Sequence, residues 1–253
     1  MPAAIFARLA FDEARRGGLA WLAAAALLLG LGAAAFLSQV ALTESRAVQA
    51  SLVAALLRVC AVFILATQVI ASVRREIDDR RLELLLSLPL SRASQYLGRF
   101  AGFAACGVLL ALLFSLPLFL WSSPAAVAAW GVSLACELAL VAAAALFFTM
   151  TLAQLVPALA ATAGLYLLAR SITAVQAIAS GPLTDETLAN ALARHAVDAV
   201  ALLLPALDHV TRTSWLLYGV SDWRSYLYGV GGLLLYTALV AAAGVFDFQR
   251  RAA

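Results

Sequence analysis

Ionisable side chains are scarce in this sequence, so the places where they gather define what chemistry is open to it. Of 253 residues 64% are apolar and 12% charged, and every cation apart from the two histidines is an arginine. Three groupings stand out. The densest is "RREIDDRRLE", Arg74 to Glu83, with eight charged residues in ten positions. The second is a pair of isolated charges, Arg58 and Glu137, each set in an apolar run. The third is two imidazole and carboxylate pairings, His195 three before Asp198 and His209 directly after Asp208.

Each grouping limits the chemistry. A phosphate-binding loop needs a lysine whose ammonium reaches the β and γ phosphates, and the chain contains no lysine and no glycine-rich turn between a strand and a helix. If ATP powers this protein, another chain hydrolyses it, and no cofactor of its own is expected. The two His pairings are of metal-ligand type, but interfacial polar residues account for them equally, and no metal site is expected. Cys60, Cys106 and Cys136 are scattered through apolar runs and read as packing residues, without a disulfide. No nucleophile with its base appears in the apolar runs, so the chain is not expected to be an enzyme. Nothing in it suggests nucleic-acid binding.

The elements that must hold these groups are set by length and polarity. Apolar runs of 18 residues or more recur, each long enough to cross a hydrocarbon layer of about 30 Å as a helix. Six spans are expected, at 19–40, 51–73, 97–121, 124–151, 156–178 and 225–246, in one all-α transmembrane domain covering 1–253. Before the first, Ile5, Phe6, Leu9 and Ala10 share one helical face, which suits a helix lying in the membrane interface. With both termini in the cytoplasm, eleven of the seventeen arginines fall on the cytoplasmic side and five on the outer side, as retention of positive charge requires. The expected location is a bacterial cytoplasmic (inner) membrane. Trp121 and Trp130, with Trp215, Tyr218, Trp223, Tyr226 and Tyr228, then form an outer aromatic belt.

The one long outer segment, 179–224, is expected to be helical. Thr184 can cap a helix in which Leu188, Leu192, Ala196, Ala199 and Leu203 recur at helical spacing, and Pro205 ends it. A second helix, "DHVTRTSWLLYG", runs to Gly219, and Ser221 or Asp222 can cap span six. Both helices are expected to lie on the outer membrane surface. Within the spans, Arg58 and Glu137 either pair across the bundle or line a polar path. Arg170, nearer the outer end of span five, is expected to snorkel to the headgroups. Small residues in spans one and five, "LGLGAAA" and "ALAATAG", are candidates for a seam between two copies.

The charged cluster continues span two. Arg74 with Asp78, Arg75 with Asp79 and Glu76 with Arg80 are four apart and support a helix. Ile77, Leu84, Leu85 and Leu88 form an apolar stripe with the Arg81 stem, Pro89 stops it, and Ser91 can cap the next helix. The result is a short amphipathic helix held between two spans.

The segment "RREIDDRRLELLLSLPLSRASQYLGRF" resembles the stretch between the second and third spans of ABC-2-type permeases, where an acidic run leads into a leucine-rich helix, a Leu-Pro, a Ser-Arg and a Gly-Arg or Gly-Lys. Arg80-Arg81 stand where that family commonly has Gly-Thr before the Leu-Glu. "LLLPALDHVTRTSWLLYG" is most similar to the permeases of multicopper-enzyme maturation, such as those serving nitrous oxide reductase. The resemblance implies a coupling helix, Leu82 to Leu88, seated in a groove of a separate ATP-binding subunit. Glu76, Asp79, Arg80, Arg81 and Glu83 would orient it by charge, and Leu82, Leu84, Leu85 and Leu88 would supply burial. It further implies a second permease copy or homologue, export or mechanical transmission as the outcome, and room for an extracytoplasmic protein partner. Another class of protein, a membrane scaffold or assembly factor with no ATPase, fits the same spans.

Overall fold

A computed structural model of the chain describes residues 8, 11, 13, 17–40, 45–79, 91–152, 154–180, 188–205, 207–211, 215–216, 219 and 222–250. Among them the regular elements are all helical: α1 (Leu19–Val40), α2 (Ser45–Asp78), α3 (Arg92–Ser115) followed by a 3₁₀ turn (Leu116–Leu120), α4 (Pro124–Thr151), α5 (Leu155–Ala179), α6 (Leu188–Leu203), a 3₁₀ turn (Leu207–His209) and α7 (Trp223–Arg250). Six of these, all but α6, are long and apolar enough to cross a membrane. The chain is a polytopic α-helical membrane protein. Of the expected N-terminal interfacial helix, Arg8, Phe11 and Glu13 are described, each in helical conformation.

The bundle has two ends. One, the charged end, carries Arg74 to Asp79, the start of α3 and the last turn of α7. The other, the aromatic end, carries Trp121, Trp223 and α6. Helix α4 is the centre and packs against α2, α3, α5 and α7. Its sequence explains this position, because it is apolar all round instead of on one stripe, and every residue from Leu140 to Leu146 is buried. The run of alanines there keeps the helix thin, so neighbours approach closely. Gly107 marks the tightest crossing: a Cβ there would lie 3.0 Å from Leu138 Cβ and 3.2 Å from a Leu65 methyl.

Two spans extend beyond their apolar cores. Helix α2 runs unbroken from Ser45 to Asp78, and α7 from Trp223 to Arg250, because polar ends find partners inside the protein. At the aromatic end of α2, Trp121 Nε1 donates to Gln49 Oε1 at 2.8 Å. At its charged end, Glu76 meets Arg99 of α3 at 2.6 Å, and Arg74 meets Asp78 at 3.1 Å. The carboxylate of Asp247 on α7 accepts from Thr151 of α4 at 3.0 Å.

Asp222 caps α7, accepting from the Ser225 hydroxyl at 2.6 Å and from the Arg224 backbone N–H at 3.0 Å. These bonds, Ser225's above all, favour the charged form and hold the carboxyl below its ordinary value. Since the folded value is the lower one, the cap's contribution is present above the ordinary carboxylate range and lost as pH falls through the folded value. Asp222→Ala is therefore expected to speed amide exchange from Trp223 to Tyr226 at neutral pH, with the wild type approaching the variant in acid. Equal exchange at neutral pH would show that Asp222 is no cap.

The segment before α7 departs from the expected pair of surface helices. Thr184 and its neighbours lie outside the described residues, but α6 is present from Leu188, with Leu192 69% and Leu202 88% exposed. Of the described residues after Pro205, several are buried instead of lying on the surface. Leu207, Val210 and Thr211 are buried at 0%, 2% and 2% exposure, and Leu207 and Val210 cluster with Cys136 and Leu140 of α4, Ala169 of α5 and Leu233 of α7. Proline ends α6, and the chain then has apolar and hydroxyl side chains that the three spans can cover.

Candidate functional site

The inward faces of α2, α4 and α5 meet at Glu137, which is fully buried. Arg58, 1% exposed, forms an ion pair from Nη1 to Glu137 Oε2, and its Nη2 donates to Ser133 Oγ at 3.0 Å. Ser133 stands one turn before Glu137 on α4 and in turn donates to the Trp130 carbonyl at 2.8 Å. The guanidinium carbon of Arg58 also lies 5.0 Å from the centroid of the Trp130 ring, a cation–π contact. On the other side of the carboxylate, Tyr166 donates to Glu137 Oε1 at 2.8 Å, and Arg170 Nη1 lies 3.5 Å from the same oxygen. One carboxylate on α4 thus serves two guanidiniums and a phenol, from α2 and α5.

The arrangement satisfies a strong physical demand. A charge in hydrocarbon is costly unless paired, and a buried pair holds only when its remaining lone pairs are also satisfied. Glu137 meets that demand with Arg58 and Ser133's neighbourhood on one side and Tyr166 with Arg170 on the other. Arg170 does not snorkel. It turns inward, and its Nη1 donates to Thr211 Oγ1 at 2.8 Å, while Thr211 itself donates to the Leu207 carbonyl at 2.9 Å.

The inserted turn is held to α5 by a ladder of such bonds. Besides Arg170 and Thr211, the Thr173 hydroxyl donates to Asp208, and a separate bond, Gln176 Nε2 to Asp198 at 3.0 Å, holds α6 to the end of α5. Val210 rests on Gly229 of α7, where a Cβ would come within 2.7 Å of its methyl. Thr173 and Gly229 are each six residues from the aromatic ends of their helices. At 1.5 Å per residue the turn therefore sits about 9 Å below those ends. Non-helical backbone at such depth is tolerated only where protein covers it or it lines a cavity.

Among the residues singled out from sequence, the structure brings Arg58 and Glu137 together. Glu76 is turned into the bundle toward Arg99, while Asp78 and Asp79 are exposed. Arg80, Arg81, Leu82, Glu83, Leu84, Leu85 and Leu88 lie outside the described residues. His195 is exposed on α6, and among the described residues no group of three or more His, Cys, Asp and Glu converges. Sequence reasoning missed Ser133, Tyr166 and Thr211 and misplaced Arg170. A signal existed for part of this: Thr162, Tyr166, Arg170 and Thr173 follow at steps of four, four and three, a polar stripe along one face of an apolar span.

Compared with models of known protein families the chain matches none, and a comparison with curated proteins finds no match either.

Proposed function

We propose that this chain is the membrane-spanning permease subunit of a transporter driven by a separate ATP-hydrolysing subunit. Two copies, or one copy and a homologue, would share two ATPases in a bacterial cytoplasmic membrane, with both termini in the cytoplasm. The outcome would be export, or motion transmitted to a protein partner outside. The reading rests on the ABC-2-like segment between α2 and α3 and on the lack of any lysine with which to bind nucleotide phosphates.

The observation that carries it is the length of α2. One continuous helix of 34 residues, about 50 Å long, joins the charge cluster at Arg74 to Asp78 to the ion pair at Arg58 and ends beside Trp121. A lever of this kind transmits a push on its charged end through the bundle without a hinge. Glu76 and Arg99 tie it to α3 at the charged end of the bundle, so α2 and α3 would move as a pair.

The test is co-purification with candidate P-loop ATPases from the same cell, beginning with any that is encoded beside this gene. The wild type is expected to retain the ATPase, and a variant with Leu84, Leu85 and Leu88 changed to Asp to lose it at least tenfold, with unchanged thermal stability of the membrane chain. Equal retention by the variant would sink the coupling-helix reading. Failure of the wild type to bind any such ATPase would leave the scaffold or assembly-factor reading in its place.

A further inference from the structure

Two buried N–H donors beside the Arg58–Glu137 pair lack an acceptor among the described residues. Arg58 bonds through Nη1 and Nη2, to Glu137 and Ser133, which leaves its Nε unpaired. Trp130 Nε1 is unpaired as well. The two residues are 1% and 0% exposed. Nε is bonded to the guanidinium carbon that lies 5.0 Å from the Trp130 centroid, so the two donors are close neighbours across one cation–π contact. A buried donor without an acceptor bears its full desolvation cost, and native interiors leave few of them.

We propose that a halide ion binds between Arg58 Nε and Trp130 Nε1, where α2 packs against α4. Charge favours an anion there. Glu137 is shared between Arg58 and Arg170, and Asp208, held by Thr173, forms no ion pair with either guanidinium among the described residues. The cluster therefore holds two cations and one anion. Hydrogen-bonding capacity favours an anion that carries no hydrogens. Both leftover groups are donors, while the neighbouring acceptors, Glu137 and Ser133, are already engaged. A water would bring two hydrogens in need of acceptors of their own, whereas a halide accepts from each donor and donates nothing. Enclosure favours a single atom, because two donors on fully buried side chains cannot satisfy the several oxygens of a carboxylate or phosphate. The bound ion would stabilise the packing of α2 on α4 by mass action, whether or not an ATPase drives the chain.

The measurement is the thermal unfolding temperature of the full chain in one detergent, with sodium gluconate replaced stepwise by sodium chloride at constant ionic strength. Chloride is expected to raise it to a plateau. Trp130→Phe keeps a ring beside the guanidinium and removes one of the two donors, so the chloride midpoint should rise about tenfold or more. Bromide gives a second readout that needs no variant and decides the matter if Trp130→Phe does not fold. Crystals of the wild type grown in bromide should show an anomalous peak in contact with both nitrogens. An unfolding temperature indifferent to chloride, an unchanged midpoint in Trp130→Phe, or no bromide at the two nitrogens would each overturn the proposal.

Discussion

Glu137→Leu is expected to destabilise the protein by about 3–5 kcal/mol, and Arg58→Met in the same chain to return most of that loss. Removing the carboxylate leaves Arg58 at 1% exposure with Ser133 and the Trp130 ring as its remaining polar and aromatic contacts among the described residues, and it takes the charged partner from Arg170 as well. A buried guanidinium without its anion is far costlier than the pair was favourable, whereas replacing both members by apolar groups of similar volume removes the desolvation cost along with the attraction. Recovery stops short of complete because Arg170 still lacks its anion, although its exposure and its bond to Thr211 soften that loss. A double-mutant cycle on thermal unfolding in one detergent measures the coupling. Additive losses in the double variant would mean that the two side chains do not depend on each other, and that Glu137 belongs to a path and not to a structural pair.

Gly244→Ala should cost about 1–3 kcal/mol by overpacking. Tyr96 of α3 is 1% exposed, and its hydroxyl and ring edge stand where a Cβ at position 244 of α7 would go. The ring has little freedom to withdraw, since it also faces Phe248 with centroids 6.2 Å apart. The hydroxyl has no hydrogen-bond partner among the described residues, so Tyr96→Phe alone is expected to be neutral or mildly stabilising. In the same chain it should relieve the Gly244→Ala defect. Unfolding temperatures of the two single variants and the double variant decide the matter. A fully tolerated Gly244→Ala would show that α3 and α7 do not approach this closely.

Much of the architecture was legible because the solvent imposes it. Hydrocarbon accepts only helices that satisfy their own backbone, so apolar run length alone located α1, α4 and α5 to within a residue or so of their ends. The same rule could not foresee how far α2 and α7 extend, because Gln49, Glu76 and Asp247 lengthen them through partners on other helices. Arg58 and Glu137 were conspicuous as charges in apolar runs. Their company was not, because a tyrosine, a serine or a threonine in a span costs too little to stand out.

Arg170 and the 207–211 turn show where one-dimensional reading stops. A cation nine residues from the end of a span can reach the headgroups or turn inward, and its own helix does not choose. The choice came from Glu137 on a second helix and Thr211 on a returning loop. Likewise "PALDHVT" has the polarity of a surface segment, and only the gap between α4, α5 and α7 makes burial of Leu207, Val210 and Thr211 the better solution. Composition and run length determined the number of spans and their solvent, because those follow from each segment's own transfer to lipid. The fate of every polar group between the spans was decided by packing, because a partner on another helix is what makes a buried charge tolerable.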